Sequence, residues 1–299
     1  MALHLWRACL ALRSHVGFFQ WAPNVAIVPK THTAPTVAIP PTERIDCTMR
    51  IYACANLKGG VGKTTTAVHL AAALARLNRR VLAIDIDQQA DFTTWVGPEE
   101  EARLTIVDVM RRPSDGALLR RAIAKSRIAG VDLIPGSPSM IEVEAELGRT
   151  PAPSTALARA LRHVDDYDDV IIDCPPGMGF IVWNALAVAT DVITPIDGIL
   201  ALAKITSVQE TIAELERAGV ITKAPILRTL QTKIDARVAL AREISALLKE
   251  FAGTTPLHTG IRLNARMAEA PGQQQTLFDY SPGATAVADY AAVAEELVS

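Results

Sequence analysis

Cysteine is scarce in this chain and poorly placed for bridging: Cys9, Cys47, Cys54 and Cys174 contain no CxxC pair and no cluster with metal-ligand spacing. That distribution argues against a disulfide framework or an iron–sulfur carrier and fits a reducing cytosol. Cys54 and Cys174 read as small buried hydrophobes. No apolar run reaches the roughly 18 to 20 residues that span a bilayer. Charge of one sign is lacking too, with 30 Lys and Arg against 32 Asp and Glu. The chain as a whole therefore has no attraction for nucleic acid, and any such contact must come from a local patch. Internal repeats are absent. What remains, 49% hydrophobic and 21% charged over 299 residues, is a globular composition long enough for one large α/β domain.

Residues 1–48 carry no helical or strand period. Trp6, Phe18, Phe19 and Trp21 precede a Pro/Thr-rich tract from His32 to Thr42, and Arg7 and Arg13 are basic with no acid before Glu43, a pattern that targeting peptides share. Met49 directly precedes the first strand-like run. Residues 1–48 are accordingly expected to be a disordered extension or a mis-assigned start, and residues 49–299 a single domain.

The most informative stretch is Lys58-Gly59-Gly60-Val61-Gly62-Lys63-Thr64-Thr65. A β-type run from Ile51 to Leu57 leads into it, and a helical pattern through Ala67, Leu70, Ala71, Leu74 and Leu77 follows. In such a strand–loop–helix unit the glycines let successive N–H groups converge on a phosphate, and the helix N-terminus adds its partial positive charge. Lys63 is placed to reach the β- and γ-phosphates, and the Thr64 hydroxyl to ligate Mg²⁺. The general phosphate-loop pattern needs glycine at position 57, which is Leu57, and a second lysine, Lys58, stands at the front of the loop instead.

Two further segments bear carboxylates where parallel sheets place ligands, at strand carboxyl ends. Val81 to Asp87 reads as a buried strand running into the polar loop Gln88 to Asp91. Here Asp85 has two open readings, a helix cap or indirect hydrogen bonder and a direct role. Val170 to Ile172 reads as a central strand ending in Asp173, which can hold the water shell of Mg²⁺ opposite Thr64. Between them, residues 99–127 show helical signals broken by Pro113 and Gly116, and Val131 to Gly136 reads as a strand. Helical stretches follow at about 139–148 and 154–164, the second with Ser154 as N-cap. Beyond Asp173 the pattern continues as helix 180–189, strand 191–196, helix 205–218, strand 225–231, helix 236–251 and a final helix. From Lys223 to Ala268 eight basic residues face three acidic ones, a stripe able to track DNA phosphates.

Lys58 to Thr65 resembles, at every position, the deviant Walker A box KGGxGKT[ST] of the ParA/MinD superfamily, and within it the short, Soj-like ParA type. Asp85-Ile86-Asp87-Gln88-Gln89 is similar to the family's DxDPQ, with Gln88 in place of proline. Asp173-Cys174-Pro175-Pro176-Gly177 resembles its switch II, Met267-Ala268-Glu269-Ala270-Pro271-Gly272 its RLAEAPS signature, and residues 278–284 its terminal segment. The resemblance, covering about residues 50–298, implies a doubly wound, mostly parallel α/β sheet flanked by helices. It implies a slow ATPase that binds ATP and Mg²⁺ through Lys58, Gly59, Gly60, Val61, Gly62, Lys63, Thr64 and Thr65, with Asp173 on the metal through water. Lys58 would reach across a nucleotide-sandwich homodimer to the partner's phosphates, and Asp87 would position the attacking water. Arg237 and Arg266 align with positions that bind nonspecific double-stranded DNA in ParA-type proteins. A ParB-like centromere-binding partner would stimulate hydrolysis on the nucleoid, in the cytoplasm. A MinD-like ATPase acting on a membrane, or a relative positioning another cargo on a protein scaffold, is the alternative. The former needs a basic amphipathic C-terminal helix, yet Thr285 to Ser299 holds Asp289, Glu295 and Glu296 and no Lys or Arg.

Overall fold

Burial on both faces dictates the centre of the molecule. In the computed structural model, which describes residues 49–98, 100 and 102–299, the strands β1 (Arg50–Cys54), β2 (Val81–Asp85) and β5 (Asp169–Asp173) are buried almost throughout. Such continuous apolar runs need helices on either side, which is the condition for parallel pairing. The remaining strands are β3 (Ala124–Lys125), β4 (Val131–Ile134), β6 (Asp191–Ile196), β7 (Ile226–Gln231) and β8 (Thr255–Pro256), and the sheet order is β3-β4-β2-β5-β1-β6-β7-β8. Every named pairing is parallel except that of β3 with β4. The expected doubly wound α/β architecture is therefore observed. The extension expected at residues 1–48, with Cys9 and Cys47, lies outside the described residues.

The first helix, α1 (Lys63–Arg76), buries Ala67, Leu70, Ala71 and Leu74. The final helix, named α13 below (Thr285–Val298), lies against it and completes one apolar cluster with Tyr290, Val293 and Leu297. Between them in the chain come α2 (Asp91–Val96), α3 (Ile106–Arg111), α4 (Gly116–Ala122), α5 (Met140–Leu147), α6 (Ala156–Leu161), α7 (Phe180–Val188), α8 (Ile199–Leu202), α9 (Ile205–Arg217), α10 (Ala239–Glu250), α11 (Arg266–Glu269) and α12 (Leu277–Tyr280). Among the described residues no helix is long and apolar enough to cross a membrane.

Several boundaries differ from the sequence expectation. Strand β2 stops at Asp85 because that carboxylate accepts a hydrogen bond from the Asp87 amide and turns the chain. Helix α10 starts at Ala239 rather than near residue 236, since the Asp235 carboxylate accepts from both the amide and the guanidinium of Arg237. Ser154 is not the cap of α6: the N-cap is Thr155, and the Leu157 amide donates to Asn184 Oδ1 at 3.0 Å. A cap supplied from α7 leaves no mark in the local pattern. Within the segment 99–127, Arg111 pairs with Glu142 and Glu146, and Arg120 with Asp165 and Asp166, all of them exposed.

His69 joins the first and last thirds of the fold. Fully buried, it donates from Nδ1 to the Thr65 carbonyl at 2.7 Å, and Nε2 accepts the Leu277 amide at 3.0 Å. Its ring stacks on Tyr290 with centroids 5.0 Å apart and meets Trp95 edge-on. Burial lowers its pKa from 6.5 to about 4, so the neutral imidazole is the form that fits. A folded pKa below the unfolded one gives stability that is present above about pH 6.5 and lost as pH falls toward 4, about 3 kcal/mol in all. Urea unfolding between pH 7 and 4 is expected to show this slope, and His69→Gln is expected to flatten it while lowering stability at pH 7.

Candidate nucleotide-binding and switch site

The loop after β1 is shaped by two left-handed glycines, Gly60 at φ 73° and Gly62 at φ 97°, a region that side chains with a Cβ rarely enter. Gly62 caps α1, its carbonyl accepting from the Thr66 amide at 2.8 Å. Loops from the other half of the sheet brace the turn: Thr232 Oγ1 donates to the Val61 carbonyl at 3.0 Å and Lys233 Nζ to the Gly60 carbonyl at 2.5 Å. Lys63 is nearly buried and its Nζ lies 3.4 Å from the Lys58 carbonyl, folded back over the loop. Lys58 is held at both ends, its amide by Asn56 Oδ1 at 3.0 Å and its Nζ by Asp197 Oδ1 at 2.7 Å. Asp197 was not singled out from the sequence. The available signal was its place directly after Ile196, a third aspartate at a strand's carboxyl end.

Register puts the carboxylates beside this loop. Cys54 on β1 and Asp85 on β2 both pair with Asp173 on β5, so three strand ends stand level. Asp85 makes the indirect contacts of its first reading: Oδ2 accepts from the Thr93 amide at 2.9 Å and its hydroxyl at 2.6 Å, and Oδ1 from the Asp87 amide. The Thr93 hydroxyl in turn accepts from the Gly136 amide at 2.7 Å. Asp87 heads the next turn and accepts from the Gln89 amide at 2.9 Å. Asp173 is fully buried, and neither carboxylate oxygen has a hydrogen-bond partner among the described residues, although Thr64 and Lys63 lie near enough to favour its charged form. Burial pushes the Asp85 carboxyl up to about 6 despite its Thr93 bonds. Asp173 rises well above the carboxylate range, through burial first and repulsion from Asp85 second.

A buried carboxylate without a partner, facing a lysine and a threonine, suits a hydrated cation. Among the described residues no three His, Cys, Asp or Glu side chains gather around one point, so such a cation would draw its other ligands from the Thr64 hydroxyl, phosphate and water. A pocket of about 250 Å³ opens beside the glycine loop, between Val61, Gly62 and Thr65 on one side and Ile261, Met267 and Tyr290 on the other.

The basic stripe is less positive in space than in sequence. Arg228 pairs with Asp191, Lys233 with Asp197, Arg237 with Asp235, Arg262 with Asp289 and Arg266 with Glu269. Only Asp235 among these acids belongs to the stripe itself. Among the described residues, Lys223, Arg242 and Lys249 have no acidic partner within 4 Å. Arg237 and Arg266 remain 87% and 60% exposed, and exposed pairs of this kind are worth little and exchange readily.

A family model described as an AAA domain matches residues 49–224. The chain is 35% identical over 252 residues to the chromosome-partitioning ATPase Soj of Thermus thermophilus, covering 84% of this chain and 96% of that one. It is 33% identical over 256 residues to the chromosome partitioning protein ParA of Caulobacter vibrioides, covering 84% and 94%. Among solved structures, a cobyrinic acid a,c-diamide synthase from Mycobacterium smegmatis with bound ATP analogue and magnesium superposes with a TM-score of 0.71 and 28% identity, over 84% of this chain and 94% of that one.

Because burial and repulsion from Asp85 disfavour the charged form of Asp173, Asp173→Asn is expected to leave the ligand-free protein at least as stable as the parent, by up to about 2 kcal/mol. Thermal melts without nucleotide or divalent cation test this; a large loss of Tm would mean that the carboxylate is structurally bonded.

Proposed function

This chain belongs to the Soj/ParA family of ATPases, and from that premise we propose that it is a DNA-partitioning ATPase whose ATP-bound dimer coats nonspecific DNA. The observation that carries the reading is the partnerless Asp173 carboxylate standing level with Asp85 beside the glycine loop and Lys63. ATP would lay its phosphates along the amides of residues 59–65, with Lys63 swinging from the Lys58 carbonyl onto the β- and γ-phosphates. The base would enter the pocket that ends at Tyr290. Thr64 and, through water, Asp173 would hold magnesium, which neutralises charge on the phosphate oxygens. Asp87 would orient a water in line with the γ-phosphorus, the new P–O bond forming as the bond to ADP breaks and the water's proton leaves with phosphate. In the dimer Lys58 would exchange Asp197 for the partner's phosphates. ATP then serves as the glue of the dimer and hydrolysis as its release, slow until a ParB-like DNA-bound partner accelerates it.

A membrane-positioning role on the MinD pattern is disfavoured by the final helix. Helix α13 spends its apolar side on α1, burying Tyr290, Val293 and Leu297, and its charged residues are acidic. The relatives named for partitioning and the exposed Arg237 and Arg266 support DNA on the cytoplasmic nucleoid as the scaffold.

Lys63→Ala is expected to lose ATP binding, and Asp87→Ala to keep ATP and dimerise while hydrolysing at least tenfold more slowly. Isothermal titration and single-turnover assays separate the two, and normal turnover in Asp87→Ala would remove that residue from the chemistry.

The proposal as a whole is tested by binding to random-sequence duplex DNA without nucleotide, with ADP and with ATP-Mg²⁺ across a salt series. Binding is expected only with ATP and to fall steeply with salt, and Arg237→Glu with Arg266→Glu is expected to weaken it without preventing dimerisation. No DNA binding in any state would refute it.

A further inference from the structure

The loop that follows Asp173 is anchored from a helix that contributes nothing else to the site. Residues 174–179 join β5 to α7, and among the described residues no backbone hydrogen bond reaches residues 175–178. Pro175 and Pro176 fix their own φ but have no N–H to offer, and Gly177 sits at φ 115°, so the loop has no backbone hydrogen bonds of its own to fasten it to the rest of the fold. At its downstream end, Glu144 of α5 accepts from the Phe180 amide at 2.6 Å and the Ile181 amide at 3.0 Å. One carboxylate thus satisfies two of the otherwise unbonded donors of the first turn of α7 and complements its positive end.

Helix α5 is itself pinned. Met140, Val143 and Leu147 are buried beneath it, and Arg111 of α3 holds Glu142 and Glu146 on its outer side. Pro175 and Pro176, with Gln88 of the loop after β2, wall a pocket of about 210 Å³ whose other side is Met140, Ile141 and Glu144. The two loops are tied at their roots, the Ile86 amide donating to the Asp173 carbonyl at 3.1 Å.

A second feature marks the same contact. Gly179 has φ −80° and ψ −177°, a conformation open to any residue, so the backbone does not demand glycine. A Cβ there would lie 2.2 Å from Glu144 Oε1, so a side chain would require the carboxylate to move. The absent side chain at position 179 makes room for the carboxylate at position 144.

We infer that Glu144 is a positioning residue for ATP turnover, setting the path of the 174–179 loop and through it the geometry around Asp173, with Gly179 kept free of a side chain to admit it. The inference rests on the ATPase reading above and adds to it a residue on α5, away from the glycine loop. Because Lys63 and the loop amides are untouched, Glu144 governs kcat and leaves the KM for ATP alone.

The test is a double-mutant cycle in the full chain. Glu144→Ala is expected to lower kcat about tenfold with KM for ATP within about twofold, as expected for loss of charge-assisted hydrogen bonds. Gly179→Ala is expected to cost a similar factor in the parent, where the methyl displaces the carboxylate, and almost nothing when Glu144 is already alanine. Glu144→Gln, which keeps the shape and one acceptor, is expected to fall between and guards against a folding defect. Hydrogen exchange is expected to show the Phe180 and Ile181 amides deprotected in Glu144→Ala without nucleotide. Gly179→Ala costing the same factor in both backgrounds, or KM rising with kcat unchanged, would overturn the inference while leaving the ATPase reading intact. Absence of ATP turnover in the unsubstituted chain would overturn that reading and the inference with it.

Discussion

Two carboxylates, Asp85 and Asp173, stand in register on neighbouring strands in a dry part of the molecule. Like charges so placed raise each other's cost of ionisation, and the chain resolves the conflict unequally. Asp85 is surrounded by donors, from Thr93 and the Asp87 amide, and so fastens β2 to α2 and starts the turn that carries Asp87. Among the described residues Asp173 has no hydrogen-bond partner, although Thr64 and Lys63 lie near it. A fold that tolerates such a group stores an attraction for positive charge at one point, and that point adjoins the only lysine, Lys63, that the glycine loop holds nearly buried.

The ion pairs around the site follow the same economy of charge. Asp197 holds Lys58 and stands 3.7 Å from Lys233, while Lys233 reaches on to the Gly60 carbonyl. One carboxylate at the end of β6 therefore ties the front of the glycine loop to the loop after β7. Elsewhere the basic stripe is trimmed by acids brought from β6, α11 and α13. A linear count of charge overstates its field, and Arg237 and Arg266, which stay well exposed, are held only in weak surface pairs.

Packing carries the consequences of the site away from it. His69 leaves the helix that starts at Lys63, bonds the carbonyl of Thr65 and the amide of Leu277, and stacks on Tyr290, which also closes the pocket beside the loop. The segment holding Leu277 and the final helix are thereby connected to the phosphate-loop helix by buried contacts. On the opposite flank Glu144 ties α5 to the start of α7. The glycine loop and the loop after Asp173 are thus each held by a residue distant in sequence.

Much of this was legible in the chain. The glycine loop, the strands ending in Asp85 and Asp173, the strand 191–196 and the helix from Lys63 follow from local patterns, since parallel strands buried on both faces and phosphate-loop turns restrict which residues can occupy them. What the sequence alone determined was the inventory of the site and the order of the elements that bear it. The tertiary structure alone decided which polar groups meet: Asn184 rather than Ser154 caps α6, Asp197 takes Lys58, distant acids trim the basic stripe, and Glu144 reaches α7 across 36 positions. Periodicity reports which face of an element is buried. It carries no information about which donor from another element will arrive opposite an acceptor, because that depends on the sheet order and on the seating of the helices against the sheet.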